Sequence, residues 1–339
     1  MASEYDLSGT LAETVRAAAA AGQALAICGG GSKSWYGRTI QGEPLTVAGH
    51  HGIVDYQPSE LVITARAGTT LAELEATLAE RGQMLGFEPP WFGDAATLGG
   101  TLACALSGPR RPYAGAARDF VLGMKVLNGK GEVLRFGGQV MKNVAGYDVA
   151  RLFTGSLGTL GVILEASLKV VPRPAEELTV ARECRAAEAI DLCNQWAGQP
   201  LPISAAAHVD GVLHIRLSGA GSAVAAARRS VGGETLEAGA AEAFWRDLRE
   251  LRLPFFSTDA ALPLWRLSLP PAAAVDLPGR WLIDWGGAQR WLRSSVPADT
   301  IFRAAEQAGG HATLFRGGDR SGHVFQPLPP ALAALHRRL

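Results

Sequence analysis

Three consecutive glycines followed by a hydroxyl and an amine, Gly29-Gly30-Gly31-Ser32-Lys33, stand directly after the apolar stretch Ala24-Leu25-Ala26-Ile27-Cys28. About seventy residues on, a second glycine region runs from Asp94 to Lys169. It contains Thr97-Leu98-Gly99-Gly100-Thr101 and Gly155-Ser156-Leu157-Gly158-Thr159-Leu160-Gly161. Residues without a Cβ let backbone N–H groups approach a ligand closely and form concave nests that bind anions. Several such segments in one domain imply a large phosphate-bearing cofactor held mostly by main chain. The two common phosphate loops do not fit. A dinucleotide fingerprint needs G-x-G-x-x-G opening a helix, whereas Gly31 is followed by Ser32-Lys33-Ser34-Trp35. A Walker A loop needs Gly-Lys-Ser/Thr, but Lys33 follows Ser32, and Gly129-Lys130 is followed by Gly131.

The remaining reactive side chains are sparse. Cys28, Cys104, Cys184 and Cys193 form no C-x-x-C pair, so an iron–sulfur centre, structural zinc or disulfide framework is not indicated, and no metal site is expected. His208-Val209-Asp210-Gly211-Val212-Leu213-His214 places two histidines around a hairpin turn. A two-residue turn at Asp210-Gly211 pairs Val209 with Val212 and His208 with Leu213, which puts His208 and His214 on opposite faces. A three-residue turn would set the two histidines opposite each other; the plain hairpin is the favoured reading. His50 and His51 read as surface loop, and His311 and His323 as isolated structural residues. Lys142 and Arg110-Arg111 are the candidate cations, each against the simpler role of a solvated charge or structural ion pair. The eight tryptophans, among them Trp281, Trp285 and Trp291, read as core or subunit interface.

Elements able to position these residues follow from periodicity. Leu7 to Ala21 predicts a helix and Ala24 to Cys28 a strand running into the first glycine loop. Val62 to Ala65 is a short strand. Thr70-Leu71-Ala72-Glu73 is a capping box that starts a helix to about Arg81. Residues 83–93 read as irregular. Phe120 to Leu127 and Glu132 to Phe136 form a hairpin around Asn128-Gly129-Lys130-Gly131. Tyr147 to Phe153 is a short helix, and Gly161 to Val171 a strand that stops at Pro172. After the linker Pro172-Arg173-Pro174 come a strand (Leu178 to Arg182), a helix (Ala186 to Trp196), the hairpin Ser204 to Ser218, and helices Ser222 to Ser230 and Ala240 to Leu251. Strands Leu264 to Leu269 and Trp281 to Trp285, helix Ala298 to Ala308 and strand His311 to Phe315 complete the run. Ala331 to Leu339 looks like an amphipathic helix cut short. Without strict βαβ alternation the class is α+β rather than doubly wound, in two domains, 1–172 and 173–339.

With 339 residues, 47% hydrophobic and 19% charged, the chain can bury a core in each domain. Lys+Arg and Asp+Glu are both 32, which supplies no basic field for nucleic acid and no polybasic membrane anchor. The first residues, Met1 to Asp6, carry two acids and no basic n-region, unlike a signal peptide. The expectation is a cytoplasmic protein that meets the inner membrane, if at all, peripherally and through a complex.

Four segments, taken in order, resemble a known family: the strand entering Gly-Gly-Gly-Ser; Thr97-Leu98-Gly99-Gly100; the run from Arg118-Asp119-Phe120 through Asn128-Gly129-Lys130-Gly131 to Val133; and Gly155 to Ile163. Together, over roughly residues 5–172, they are similar to the vanillyl-alcohol-oxidase-type (PCMH-type) FAD-binding domain. Residues 138–148, Gly138-Gln139-Val140-Met141-Lys142-Asn143-Val144-Ala145-Gly146-Tyr147-Asp148, resemble its glycolate oxidase and D-lactate dehydrogenase branch. The shortened second half resembles the smaller FAD-binding subunits of bacterial glycolate oxidases.

The resemblance implies two α+β lobes holding FAD, followed by a shortened α+β substrate-type (cap) domain. It also implies roles by position. Gly29, Gly30, Gly31 and Ser32 hold the pyrophosphate, with Lys33 in the same loop. Thr97, Leu98, Gly99 and Gly100 approach the diphosphate and ribityl region, with Ser107 and Gly108. Tyr113, Gly115 and Asp119 line the same cleft, Gly158, Thr159, Gly161 and Val162 border adenine and ribose, and Glu88-Pro89 lies near the first loop. No histidine lies between Ile27 and Ile40, where flavin-linked relatives carry one, which implies non-covalent FAD. Cys28 and Leu157 stand where many relatives have arginine and glutamate. The His-x-Gly-Asp-Gly-Asn-x-His signature of catalytic relatives is absent, so no catalytic residue is assigned. The implied function is an FAD-carrying subunit of a multi-subunit 2-hydroxy-acid (glycolate) dehydrogenase, with glyoxylate as product. Its partners would be a larger homologous FAD subunit and an iron–sulfur subunit. A stand-alone flavin oxidase of another alcohol or sugar acid, and a non-catalytic scaffold, are the alternatives.

Overall fold

The computed structural model describes residues 5–138 and 148–338. The segment 139–147, and with it Lys142, Tyr147 and most of the glycolate-branch motif, lies outside the described residues, as do residues 1–4 and Leu339. The chain divides into two compact units. One comprises residues 1–34, 40–108 and 115–173; the other takes 174–339 together with 35–39 and 109–114. The boundary after Arg173 falls in the proline linker, but the two short crossing segments had been read as part of the first domain.

In the first unit, β1 (Leu25–Cys28) pairs in parallel with β2 (Glu43–Thr46). β3 (Ile53–Gln57), β4 (Val62–Arg66), β6 (Val121–Leu127), β7 (Val133–Gly137) and β8 (Val162–Lys169) form an antiparallel sheet in the order β3-β4-β8-β6-β7, and β5 (Gln83–Met84) pairs with β9 (Val171–Pro172). Seven of the eight β8 residues are buried, which explains the unbroken apolar run Val162-Ile163-Leu164 of a central strand. Its two buried polar groups are satisfied: the Ser167 hydroxyl pairs with that of Thr64 at 2.8 Å, and Glu165 accepts from Lys125 at 3.0 Å. The helix Leu71–Ala79 begins as its capping residues predict, with Thr70 accepting from the Glu73 amide, and buries Leu71, Leu74 and Leu78. Each such leucine contributes about 1.5–3 kcal/mol.

The largest departure from the sequence reading is at Thr97-Leu98-Gly99-Gly100-Thr101. This is not a glycine loop but the first turn of a helix, Leu98–Cys104, with Thr97 as its N-cap. His50 is likewise not on the surface: it is fully buried and its Nδ1 accepts from the Leu7 amide at 3.0 Å.

The second unit carries one eight-stranded antiparallel sheet. Its strands are β10 (Glu176–Glu183), β11 (Ile203–Val209), β12 (Val212–Gly219), β13 (Glu234–Thr235), β14 (Leu264–Ser268), β15 (Arg280–Asp284), β16 (Gln289–Arg293) and β17 (His311–Arg316), in the order β13-β10-β12-β11-β15-β16-β14-β17. Register fixes the two faces. On one, Val180, Leu213, Ile215 and Leu217 pack with Cys193, Trp196 and Val224 of helices Ala186–Ala197 and Gly221–Val231. Further along the same face, Leu267, Leu292 and Leu314 pack with Ile301 and Phe302 of the helix Ala298–Gln307. The other face is polar: Thr179, Arg216, Asp284, Gln289, Arg266 and Thr313 follow one another across the sheet. Residues 210–211 form the two-residue turn, with His208 opposite Leu213 and Val209 opposite Val212. Both turn residues have positive φ, 48° and 84°, as a tight right-twisted hairpin requires.

Candidate functional site

The two glycine regions meet inside the first unit. A Cβ built on Gly29 would lie 2.5 Å from Thr97 Oγ1, and one on Gly30 only 1.5 Å from the Ala95 carbonyl oxygen. Residues 29–30 therefore pass directly against the segment that caps the helix Leu98–Cys104, a distance only glycine permits. Gly31 turns outward at φ 70°. Among the described residues, the amides of Gly29, Gly30 and Gly31 donate to no acceptor of the chain, whereas the next turn closes with Ser34 N–H donating to the Gly31 carbonyl at 3.1 Å. Three successive unpaired donors make an anion nest. Beside it the buried Lys33 donates to Ser32 Oγ at 3.3 Å and to the Trp91 carbonyl at 3.2 Å, and its Nζ lies 5.7 Å from the Phe92 ring centre.

The Thr97–Gly100 segment plays a different part. Its amides are used internally: Leu98 donates to Thr69, Gly99 to Ala67, and Gly100 to Thr97 Oγ1. Gly99 is needed for packing, since a Cβ there would sit 2.7 Å from that of Ala67. At the far end of the helix, Gly155 and Leu157 donate to the carbonyls of Leu102 and Ala103, which ties the third glycine segment to it. Gly158, Gly161 and the exposed Leu157 thereby reach the same cleft. The cleft is open to solvent and is lined by Ile27, Val47, Ala67, Ala103, Leu157 and Ile163 together with Gly29, Thr97, Gly99, Gly100, Gly158 and Gly161.

The remaining expected positions divide. Thr159 is exposed, its hydroxyl held by the Ser156 carbonyl at 2.7 Å, and Val162 is buried at the start of β8 opposite Leu127. Gly108 packs on Glu88, whose backbone is left-handed at φ 45°, and donates to the Phe87 carbonyl; Pro89 is buried beside it. Ser107 and Asp119 accept from the amides of Ala117 and Ala116, so they shape the turn that Gly115 opens at φ 113°. None of these six, Glu88, Pro89, Ser107, Gly108, Gly115 and Asp119, lines the cleft. Tyr113 belongs to the second unit, on the helix Arg111–Ala114. The apolar walls were missed from sequence because they come one residue at a time from separate elements: Ile27 from β1, Ile163 from β8, Ala103 from the helix Leu98–Cys104, and Val47 and Ala67 just beyond β2 and β4.

The candidate cations Arg110 and Arg111 are engaged inside the second unit. Arg110 donates to Glu177 Oε2 at 2.7 Å, and the Arg111 guanidinium lies 4.4 Å from the Trp285 ring centre. The histidines of the hairpin point apart. His208 Nε2 is 2.9 Å from the Cys184 carbonyl, while His214 stacks on Phe244 with ring centres 3.8 Å apart. Burial lowers the His214 pKa to about 4. Burial also pushes the Cys104 and Cys193 thiols up, to about 11 and 12. Among the described residues no group of three or more His, Cys, Asp and Glu side chains is arranged to hold a metal. No helix among them is long and apolar enough to cross a membrane.

The nest, the close approach that only glycine allows and the apolar cleft leading from it fit a dinucleotide with a pyrophosphate and a flat adenine. Residues 8–137 match the family model of the FAD binding domain, and the α+β architecture is that of the PCMH-type fold, with FAD as its cofactor. The chain belongs to the family of the FAD-binding glycolate oxidase subunit GlcE, being 50% identical to that subunit of Escherichia coli over 340 residues, which cover 100% of this chain and 95% of the relative. It is 34% identical over 128 residues to glycolate oxidase subunit GlcD of Bacillus subtilis, a match that covers 38% of this chain and 27% of that one. Among solved structures, an alkyldihydroxyacetonephosphate synthase shares the fold with a TM-score of 0.60 at 20% identity, over 78% of this chain and 61% of the other.

Proposed function

We propose that the chain is the smaller FAD-carrying subunit of a multi-subunit glycolate oxidase, which takes a small 2-hydroxy acid to its 2-oxo acid. The observation that carries this reading is the unpaired nest at Gly29–Gly31 in a chain similar over its whole length to GlcE. Bound FAD would supply two-electron chemistry. The nest amides would hold its pyrophosphate, with Ser32 and the Lys33 charge beside them, and Ile27, Val47 and Ile163 would exclude water from the adenine. No covalent link to the flavin is expected, because the loop carries no histidine.

Glycolate oxidation itself is assigned to a larger homologous FAD subunit. His208 and His214, the nearest approach to a histidine signature, lie on opposite faces of the hairpin and cannot act together. Electrons would leave through an iron–sulfur partner, and any membrane contact would be made by partners rather than by this chain. The test is to purify the chain alone, record its visible spectrum and precipitate it with acid. Flavin released to the supernatant supports non-covalent FAD. A colourless protein that cannot be reconstituted with FAD refutes the flavoprotein reading and leaves a scaffold. Co-expression with the larger FAD subunit and an iron–sulfur subunit then tests whether glycolate-dependent reduction needs all three; turnover by this chain alone would identify a stand-alone oxidase.

A further inference from the structure

The first described residues of the chain are strapped onto the first unit through one imidazole. The Leu7 amide donates to His50 Nδ1 at 3.0 Å, and Leu7 stands at the N-cap of the helix Ser8–Ala20. His50 is fully buried, and among the described residues its Nε2 has no partner. A ring nitrogen that accepts from an amide carries no proton, so the ring is the neutral tautomer with its hydrogen on Nε2. The backbone of His50 is fixed on both sides: its amide donates to the Val47 carbonyl at 2.9 Å, and its carbonyl accepts from Gly68 at 2.8 Å. The strap is held further by the ring contact of Tyr5 with His51, centres 4.3 Å apart, and by Lys125, which donates to Ser8 Oγ at 3.0 Å.

Charged groups from several elements face this imidazole. Asp6 Oδ1, on the strap itself, is 3.8 Å from Nδ1, and Arg66 of β4 is 3.9 Å from the other Asp6 oxygen. Arg66 and Lys125 of β6 disfavour a charged ring, whereas Asp6 and Glu165 of β8 favour one. Desolvation outweighs all of them and lowers the His50 pKa from its ordinary 6.5, so the ring is neutral at pH 7. The Leu7 bond is therefore complete above about pH 6.5 and is lost as pH falls through the lowered value. Hydrogen bonds from Ser8 hold the Asp6 pKa down at about 2, so Asp6 stays a carboxylate over that range.

We propose that His50 is an acid-released latch for the strap formed by residues 5–8. A proton taken from solvent at Nδ1 removes the lone pair that holds the Leu7 amide and sets two N–H groups against each other. The nearby acceptor for the new donor is Asp6 Oδ1, and reaching it draws Asp6 away from the Ser8 amide, from which it accepts at 3.0 Å. Acid thus exchanges the Leu7–His50 hydrogen bond for a His50–Asp6 ion pair. The first turn of the helix Ser8–Ala20 frays, while Leu11, Ala12 and Val15 keep its remainder on the core. None of the latch residues lines the cleft, so the inference stands apart from the flavin reading above.

NMR of the whole chain from about pH 7 to about pH 4.5, following the His50 ring and amide exchange together, tests it. As the ring titrates, exchange protection of the Leu7 amide should fall about tenfold, while that of Val15 and Leu164 stays within about twofold. His50→Gln keeps an oxygen that can accept from Leu7 at any pH and should abolish the fall. Asp6→Asn removes a charge that favours the protonated ring and should move the transition to lower pH. Leu7 protection that stays constant while His50 titrates, or that falls equally in a folded His50→Gln protein, would overturn the latch. So would a ring that stays neutral down to about pH 4.5 with the fold intact, a result that needs no variant.

Discussion

Gly30→Ala tests the nest most sharply. The new methyl would start 1.5 Å from the Ala95 carbonyl oxygen, a backbone atom with no side-chain freedom. Reaching an ordinary contact of about 3.4 Å requires the two segments to part by about 1.9 Å. Hydrogen bonds from backbone amides hold only within about 2.7–3.2 Å, so a shift of that size removes two of the three nest donors from an anion. At about 1.5–3 kcal/mol for each bond to a charged group, the loss is about 3–6 kcal/mol, or at least a hundredfold in FAD affinity. The assay is titration of apoprotein with FAD by quenching of flavin fluorescence, with thermal unfolding of the apoprotein as a separate check on folding. Gly31→Ala is the comparison: nothing lies within 4 Å of its Cβ, so it adds only the cost of a left-handed residue, about 1–2 kcal/mol. A folded Gly30→Ala protein whose FAD affinity stays within about threefold of the original would refute the argument.

Removing the cap in Thr97→Ala leaves the Gly100 amide without its partner at 3.3 Å and should cost about 1 kcal/mol in urea unfolding. His214 bears on acid stability. Its folded pKa of about 4 lies below the ordinary 6.5, so the unfolded chain binds the extra proton. Its contribution is complete above about pH 6.5 and declines toward pH 4, by at most about 1.4 kcal/mol per unit. His214→Phe should flatten that slope in melting temperature against pH. At the hairpin, Gly211→Ala should destabilise by about 1–2 kcal/mol because φ is 84°, whereas Asp210→Gly, at φ 48°, should be neutral or stabilising in the same unfolding assay. Trp245→Phe removes the donor that reaches buried Thr179 Oγ1 at 2.8 Å and should cost about 1–3 kcal/mol by thermal unfolding.

Local signals carried much of the fold. The Thr70 capping box, the Asp210-Gly211 turn and the unbroken apolar run of β8 each draw on interactions within a few residues, and each element lies where its own residues place it. Leu98–Cys104 was hidden because two adjacent glycines have poor helix propensity; close approach to Ala67, a residue some thirty positions away, requires the first of them, Gly99, instead. β16 was missed for a related reason. Gln289-Arg290-Trp291-Leu292-Arg293 reads as polar, yet all five residues are buried, because Arg290 and Arg293 find backbone carbonyls of distant loops. His50 likewise read as a loop residue until the Leu7 amide became its partner. For the site, glycine identity announced a close backbone approach, but only three dimensions separate the donors that are spent, at Leu98–Gly100, from those that are free, at Gly29–Gly31.

The two short crossing segments bear on how this chain can be taken apart. Because 35–39 and 109–114 belong with 174–339, the polypeptide passes from one unit to the other five times, not once. A protease cutting at the proline linker would leave Trp35, Tyr36 and Arg110 still bound to the fragment that follows, so the nicked halves should co-elute under native conditions. A gene truncated after Arg173 would instead make a product with those aromatic side chains bare, prone to degradation. The unit of inheritance is therefore the whole chain. Shuffling its halves separately among relatives would break the Tyr36–Phe315 and Arg110–Glu177 contacts that each half supplies in part.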